Sequence, residues 1–247
     1  MKTMPAQLPI PIIAVVGSRK SGKTTTVETI VRALTRKGYK VATVKHIHEP
    51  NFTIDAKGKD TWRHAEAGAQ ITVGVSANEL ATIKKTDTTK YTLSDITRNC
   101  EDNTDIIILE GFRNLIAQDM TVPKVVTVKN KEEIKEAMRT IKPVIAFIGP
   151  IKKAQSATLN VPYVDVQTEP RKLTEIIEKR AAPIIQKRRE SKETLSIKIN
   201  GKIVPLNPYV QNVTRSVLFA IVSTLKGVSI KKDENVQISL TSPLKTD

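Results

Sequence analysis

Cysteine, histidine and aromatic side chains are scarce in this sequence. Among its 247 residues are one Cys, three His, one Trp, four Tyr and four Phe. The lone Cys100 excludes an intrachain disulfide and a cysteine-based zinc site, and this cysteine usage fits a reducing compartment. Apolar residues still make up 39% of the chain, so a sizeable core is expected, built mainly from Ile, Val, Leu and Ala.

Long apolar runs and acidic side chains are also in short supply. The first apolar stretch, residues 10–16, is too short to span a bilayer, so we expect a cytoplasmic protein without a membrane segment. Lys and Arg total 40 against 25 Asp and Glu, which gives a net charge of +15. This excess favours polyanionic partners such as nucleotides, phosphorylated cofactors or nucleic acid, or simply a solvated basic surface.

Strand and helix patterns alternate through the first three quarters of the chain. Short apolar runs typical of strands occur at 12–16, 41–44, 71–75, 106–109, 125–128, 144–148 and 163–166, and helical patterns at 26–37, 91–100, 132–140 and 171–190. This alternation predicts an α/β fold with a mostly parallel sheet and flanking helices. Pro183 is expected to break or restart the last of these helices.

The pattern changes after a polar run at 187–193, which we interpret as a hinge. Residues 195–199 alternate, Asn200-Gly201 predicts a hairpin turn before a strand at 202–204, and a helix begins at Asn207-Pro208. A last strand is predicted at 236–240. The predicted division is therefore a larger α/β domain at 1–190 and a small ββαβ unit at 194–247.

A phosphate-binding motif follows the first predicted strand. The sequence Gly-Ser-Arg-Lys-Ser-Gly-Lys-Thr at 17–24 matches G-x-x-x-x-G-K-[ST] in full and leads into a helical pattern. Backbone amides and the helix N-terminus would bind phosphates, Lys23 would reach the β- and γ-phosphates, and Thr24 would ligate Mg²⁺. The predicted nucleotide-binding residues here are Gly17, Ser18, Arg19, Lys20, Ser21, Gly22, Lys23, Thr24 and Thr25.

Carboxylates that could serve this motif follow two other strands. Glu110 comes directly after the apolar run 106–109, where a P-loop site needs an acid for its metal, so Thr24 and Glu110 are the predicted Mg²⁺ residues. Asp60, after the second strand, is either a catalytic residue that positions water or Mg²⁺, or the N-cap of a helix beginning near Thr61. Glu110 and Asp60 are the candidate catalytic residues.

Two further patterns remain open at the level of sequence. His46 and His48 are expected to share a strand face, and with His64 they either form a metal site or are ordinary polar residues. The stretch Asn-Lys-Glu-Glu at 130–133 is similar to the guanine-reading N-K-x-D of GTPases, with Glu at the fourth position. Asn130 and Lys131 are therefore candidate base-binding residues, although a helix also begins there.

Three blocks taken together resemble the MobB family of molybdopterin-guanine dinucleotide biosynthesis adaptors. They are V-V-G-S-R-K-S-G-K-T-T-T, V-K-H-I-H-E-P-N-F-T-I-D-A-K-G-K-D-T-W-R-H-A-E-A-G-A and D-I-I-I-L-E-G-F-R. The resemblance is strong over residues 10–130 and weak over 131–187, and the C-terminal unit is an extension outside the family's minimal core. It implies a P-loop GTPase-like fold, a homodimer, binding of GTP with Mg²⁺, weak hydrolysis at most, and cooperation with a guanylyltransferase that acts on molybdopterin. Carried over by position, Lys45-His46 and 58–60 would form a loop beside the phosphates.

Two functions of other classes compete with this adaptor. A small-molecule kinase using ATP would also need a P-loop and a strand-end acid, and Lys57, Lys59 and Arg63 would then bind the acceptor. A nucleic-acid-binding module would explain the basic charge, but the few aromatics and the lack of helix-turn-helix or zinc-finger spacing disfavour it. For hydrolysis, Arg63 and Arg113 are the candidate arginines near the phosphates.

Overall fold

The computed structural model of the chain describes residues 10–49, 52–100, 103–150, 160–192, 197–199, 202–204 and 206–226. In chain order its elements are β1 (Ile12–Gly17), α1 (Lys23–Arg36), β2 (Val41–Lys45), α2 (Asp60–Glu66), β3 (Ile71–Val75), β4 (Leu80–Lys84), α3 (Leu93–Thr97), a 3₁₀ turn (Arg98–Cys100), β5 (Ile106–Glu110), α4 (Arg113–Ile116), β6 (Lys124–Thr127), α5 (Lys131–Thr140), β7 (Val144–Ile148), β8 (Tyr163–Val164), α6 (Pro170–Lys192), β9 (Ile197–Ile199), β10 (Lys202–Val204) and α7 (Pro208–Ser223). None of the helices within these ranges is long and apolar enough to cross a membrane.

A six-stranded parallel sheet forms the centre of the larger unit. The strand order is β2-β5-β1-β6-β7-β8, and every neighbouring pair is parallel. The carboxyl ends of all six strands therefore meet at one edge of the sheet, with β1 between β5 and β6. The predicted α/β fold with a mostly parallel sheet is confirmed.

Apolar layers cover both faces of this sheet. Successive residues of β5 alternate between them: Ile106 and Ile108 pack on one side, Ile107 and Leu109 on the other. Helices α1 and α6 complete the first layer, and α5 contributes to the second. Burial on both faces explains why these strands are continuous apolar runs rather than alternating ones.

The strand predicted at 71–75 exists but lies outside the central sheet. β3 pairs antiparallel with β4, a strand the sequence did not indicate, and a short loop closed by Ser76 N donating to Glu79 O joins them. Thr72 and Gly74 lie on the inner face, with Thr72 only 7% exposed. The other face carries large exposed apolar side chains.

Pro183 does not interrupt α6, so the predicted break is wrong. The helix is continuous from Pro170 to Lys192, and its residues Leu173, Ile177 and Ile185 are buried in the core on either side of the proline. Pro183 itself lies on the exposed side. A proline inside a helix costs about 3 kcal/mol, and burial of this apolar stripe outweighs it. The polar run at 187–193 is helical up to Lys192.

The chain divides into two compact units, one up to Arg188 and one from Arg189 onward. In the second unit β9 and β10 form an antiparallel hairpin, and α7 follows with Asn207 as its N-cap, whose side chain accepts a hydrogen bond from Val210 N. The predicted turn at 200–201 and the predicted strand at 236–240 lie outside the described residues.

Candidate phosphate-binding site

The loop between β1 and α1 has the backbone conformation of a phosphate loop. Gly22 precedes α1 with φ of 89°, and Lys20 has φ of 58°, both in the left-handed region. No side chain of the described residues caps α1. Its first backbone N–H groups therefore remain available to a ligand, and the helix dipole adds partial positive charge at the same point.

Gly17 is required by its neighbour on β6. The parallel register pairs Gly17 with Thr127, and a Cβ built on Gly17 would lie 2.1 Å from Thr127 Oγ1 and 2.4 Å from Thr127 O. A side chain at this position would collide with the adjacent strand even in the absence of a ligand. The strand pairing therefore needs a glycine here, independently of the predicted phosphate binding.

Lys23 lies folded over the loop that it is predicted to serve. Its Nζ donates to Ser18 O at 2.7 Å and to Gly17 O at 3.2 Å. Burial lowers the pKa of Lys23 below its ordinary value, and the charges of Lys129 and Lys45 lower it further, while Glu110 opposes them. Positive charge concentrates here, as an anion-binding site requires.

Thr24 and Glu110 come together across the sheet edge. Thr24 Oγ1 donates to Glu110 Oε1 at 2.9 Å, and the same carboxylate oxygen is 3.4 Å from Lys45 Nζ. Glu110 is only 9% exposed, at the end of β5 beside β1. A hydroxyl and a carboxylate are ligands that suit Mg²⁺. Ser18 Oγ, buried at the loop with no hydrogen-bond partner among the described residues, is a further oxygen that a bound ligand could satisfy. These residues fit the predicted metal.

The two histidines follow β2 instead of lying on it. β2 ends at Lys45, so the predicted shared strand face is wrong, yet the rings still meet at 4.2 Å between centroids. His46 also packs against Phe112, whose φ of 58° follows Gly111 with φ of 91°. This turn brings the chain after Glu110 against the loop after β2. Within the described residues no group of three His, Cys, Asp or Glu side chains is placed to hold a metal ion.

Asp60 begins α2 but does not cap it. The N-cap is Lys59, so that alternative for Asp60 is wrong by one residue. The Asp60 side chain is 87% exposed and 3.6 Å from the Arg63 guanidinium. Nearby, Asp55 Oδ1 accepts hydrogen bonds from Thr61 Oγ1 and Ala56 N, while its Oδ2 is buried without a partner among the described residues. A catalytic role for Asp60 stays a prediction.

The Asn-Lys-Glu-Glu stretch caps α5. Asn130 is the N-cap, and its Oδ1 accepts from Glu133 N at 3.0 Å. Glu133 Oε2 in turn accepts from Lys129 N at 2.8 Å. Lys131 is the first helical residue and is exposed. Helix capping alone accounts for this arrangement, so reading of a base by Asn130 and Lys131 stays a prediction.

One residue at the site escaped the sequence reasoning. Thr127, at the carboxyl end of β6, is buried, and its Oγ1 lies 2.6 Å from Ser21 Oγ in the phosphate loop. A polar residue that ends an apolar strand was the available signal. That signal points to the phosphate loop only once β6 is known to lie beside β1, the strand that precedes the loop.

Comparison with known proteins identifies the family. Residues 12–149, more than half of the chain, match the family model MobB, described as molybdopterin guanine dinucleotide synthesis protein B. The chain belongs to the MobB family.

Relatives of MobB type differ in how much of this chain they match. A protein of Methanocaldococcus jannaschii, provisionally named a molybdopterin-guanine dinucleotide biosynthesis adapter protein, is 31% identical over 93% of this chain and 98% of its own length. The adapter protein of Haemophilus influenzae is 33% identical over 46% of this chain and 67% of its own. The crystal structure of Bacillus subtilis MobB is 25% identical and matches 69% of this chain and 98% of its own, with a TM-score of 0.56. The match to the M. jannaschii protein therefore extends beyond the portion that the solved structure matches.

Proposed function

We propose that this MobB-family protein is a GTP-binding adapter in the biosynthesis of a molybdenum or tungsten pterin guanine dinucleotide cofactor. It binds Mg²⁺-GTP at residues 17–25 and assists a guanylyltransferase that acts on molybdopterin. The observation that carries the proposal is the junction of Lys23, Thr24 and Glu110 at one sheet edge. The names of the relatives supply the pathway.

Magnesium would be held by the Thr24 hydroxyl and the Glu110 carboxylate, directly or through water. When bound, the ion neutralises phosphate charge and orients the phosphate chain. The Lys23 ammonium would leave the carbonyl oxygens of Gly17 and Ser18 and donate to the phosphates. Glu110 accepts the hydrogen bond from Thr24 Oγ1 and so fixes the position of that hydroxyl. Glu110 is therefore both a predicted metal ligand and a candidate catalytic residue.

Hydrolysis in this proposal is slow. The candidate arginines already have carboxylate partners: Arg113 contacts Glu136 at 2.6 Å, and Arg63 lies beside Asp60. Asp60 is largely exposed. An arginine that must first leave a partner, and a water-positioning acid exposed to solvent, give little transition-state stabilisation. Binding of the nucleotide, more than its turnover, is the proposed output.

The proposed assembly is a homodimer formed through the β3–β4 hairpin. Its outer face exposes Ile71, Val73, Val75 and Leu80 by 50 to 76%. A two-stranded ribbon is marginal alone, and exposed strand edges pair readily with another chain. A second copy of this hairpin offers the same apolar face and the same strand edge, which is unpaired among the described residues. A two-fold axis would let each copy cover the apolar face and the edge of the other.

The experiment for the adapter role is a reconstituted guanylyltransferase reaction with molybdopterin and Mg²⁺-GTP. Adding this protein should raise the yield of the guanine dinucleotide, and Lys23→Ala protein should not. An equal yield with and without the wild-type protein would remove the adapter role. Rapid turnover of ATP with phosphorylation of a small metabolite would support the kinase alternative in its place.

A further inference from the structure

A pair of hydroxyl groups joins the phosphate loop to β6. Ser21 Oγ lies 2.6 Å from Thr127 Oγ1, 2.8 Å from Ser18 O in its own loop, and Thr127 Oγ1 lies 3.2 Å from Val16 O. Thr127 is 1% exposed and belongs to a different strand from the loop. This is the one hydrogen bond between side chains of the loop and β6 in the described residues.

Counting protons shows that this contact is a real hydrogen bond. Each hydroxyl donates one proton, and the two together face the carbonyl oxygens of Ser18 and Val16 as well as each other. If both protons went to the carbonyls, two oxygens would stand 2.6 Å apart with no hydrogen between them, which is repulsive. One of the two hydroxyls must therefore donate to the other in every arrangement.

The loop needs such a restraint because its backbone is strained. Lys20, the residue before Ser21, has a left-handed φ of 58°, which costs a non-glycine residue free energy. Gly17, at the start of the loop, lies so close to Thr127 that no side chain would fit there. A strained backbone conformation persists only where neighbouring contacts enforce it. Ser21, the residue after Lys20, makes such a contact through its hydrogen bond with Thr127.

The pair acts on the loop of the free protein. Ser21 Oγ donates to Ser18 O at 2.8 Å, beside the hydrogen bond that Lys23 Nζ donates to the same carbonyl oxygen. Because the Ser21 proton goes to Ser18 O, Thr127 Oγ1 is the donor to Ser21 Oγ. The pair therefore holds the loop in shape before a ligand arrives.

We propose that Thr127 is a positioning residue for the phosphate loop, acting through Ser21 without touching the nucleotide. This inference rests on the proposed nucleotide binding. Loss of the pair leaves the loop in its binding conformation for only a fraction of the time, and apparent affinity falls by that fraction. Once bound, the ligand itself holds the loop in the binding conformation. Loss of the pair should therefore lower the association rate constant and leave the dissociation rate constant unchanged.

The test uses Ser21→Ala, Thr127→Ala, the double variant and Thr127→Ser, with a fluorescent GTP analogue and Mg²⁺ in stopped flow. Valine is avoided at 127 because its methyl group would take the place of an oxygen 2.6 Å from Ser21 Oγ. We expect each alanine variant to lower the association rate constant by about threefold to tenfold, the value of one hydrogen bond. The dissociation rate constant should stay within a factor of two, about the scatter between such measurements.

Two comparisons separate this role from simple stabilisation. The double variant should bind no more slowly than Ser21→Ala, because both changes remove the same bond, and Thr127→Ser should recover the wild-type rate. Inorganic pyrophosphate should lose affinity by the same factor as GTP, since the loop and not the base contacts has changed. A variant that is merely less stable would change its melting temperature and leave these ratios alone.

The outcomes distinguish this inference from the proposed function. Wild-type association rates in Ser21→Ala and Thr127→Ala, with binding lost in Lys23→Ala, would overturn the positioning role and keep the nucleotide site. Absence of binding by the wild-type protein would overturn both. If Thr127→Ala does not fold, the two rate constants of Ser21→Ala decide. A fall in the association rate constant alone supports the positioning role, whereas faster dissociation would indicate a direct contact of Ser21 with the phosphates and overturn it.

Discussion

Thr24 and Glu110, 86 residues apart in the chain, are joined by a hydrogen bond of 2.9 Å from Thr24 Oγ1 to Glu110 Oε1. Thr24 stands in the first turn of α1 and Glu110 at the end of β5. The parallel pairing of β1 with β5 aligns these two ends. A metal between them would meet two oxygens already held in place.

Glu110→Gln tests this metal assignment. Glutamine keeps an oxygen that can accept from Thr24, so the loop is retained while the negative charge is lost. The enhancement of GTP affinity by Mg²⁺ should fall about 10- to 100-fold, and binding without Mg²⁺ should not weaken, because a charge that repels phosphate is gone. Titration of GTP at several Mg²⁺ concentrations measures both.

Asp105→Asn is the matched control for that experiment. Asp105 precedes the opposite end of β5, where its Oδ2 accepts from Lys40 N. Asp105→Asn removes one negative charge, as Glu110→Gln does, but it does so just before the amino end of β5, away from Thr24. Equal loss of Mg²⁺ dependence in both variants would show that Glu110 acts only through general charge.

Lys23 makes binding depend on pH in the alkaline range. Burial lowers its pKa in the free site, and phosphate oxygens favour the charged form, so binding raises that pKa and takes up a proton. Affinity is therefore full below the free-site pKa and falls as pH rises toward the bound-state pKa, by at most about tenfold per pH unit. Calorimetric titrations at increasing alkaline pH should show the decline.

Lys23→Arg supplies the comparison, since a guanidinium stays charged throughout this range. Its affinity at any one pH will differ from the wild type because the shape of the head group differs. The slope with pH is the diagnostic quantity, and we expect it to flatten. A slope as steep as that of the wild type would assign the titration to another group.

Gly17→Ala should disrupt the pairing of β1 with β6. Its new Cβ would lie 2.1 Å from Thr127 Oγ1 and 2.4 Å from Thr127 O, a backbone atom that cannot move alone. We expect a loss of about 1 to 3 kcal/mol or more in the free energy of unfolding, measured by urea denaturation. Gly74→Ala is the control: its nearest contact is Thr61 Cγ2 at 3.7 Å, so little change is expected, and equal losses in the two variants would contradict the steric reason.

The proposed dimer depends on the outer face of the β3–β4 hairpin. Val73 is 50% and Val75 is 76% exposed, and both belong to β3. Replacing both by Lys places like charges opposite each other in a two-fold interface and should convert the dimer to a monomer. Sedimentation equilibrium measures the mass, and Lys85→Ala, just after β4 with its side chain turned to Glu66 of α2, should leave it unchanged. A monomeric wild-type protein would contradict the proposed dimer. A double variant that remains dimeric would show that the interface lies elsewhere.

The central sheet and the juxtaposition of Thr24 with Glu110 were predictable because their signals are local. An apolar run followed by a glycine-rich loop and Lys-Thr specifies β1 and α1, and another run ending in Glu110 specifies β5. The role of Thr127 was not predictable in this way, since it depends on which strand lies beside β1. Pro183 shows the opposite failure: local propensity favours a break, and burial of the α6 stripe on either side overrides it.

The capping of α5 illustrates a pattern that two structures can explain. Asn130 and Glu133 have the spacing of a base-reading motif, and the same spacing suits an N-cap with a reciprocal carboxylate. The hydrogen bonds are close to the second arrangement: Asn130 Oδ1 accepts from Glu133 N, and Glu133 Oε2 accepts from Lys129 N, one residue before the N-cap. Sequence alone could not choose, because both uses need the same residue types.

Equilibrium titration with GTP and ATP, each with and without Mg²⁺, tests the central claim most directly. The account predicts binding of GTP that Mg²⁺ strengthens, a weaker affinity for ATP, and about a 30- to 1000-fold loss in Lys23→Ala, which removes charge-assisted contacts to the phosphates. Lys90→Ala, which removes an exposed lysine from a turn, should match the wild type. GTP affinity that is unchanged in Lys23→Ala, or no binding of either nucleotide by the wild-type protein, would contradict it.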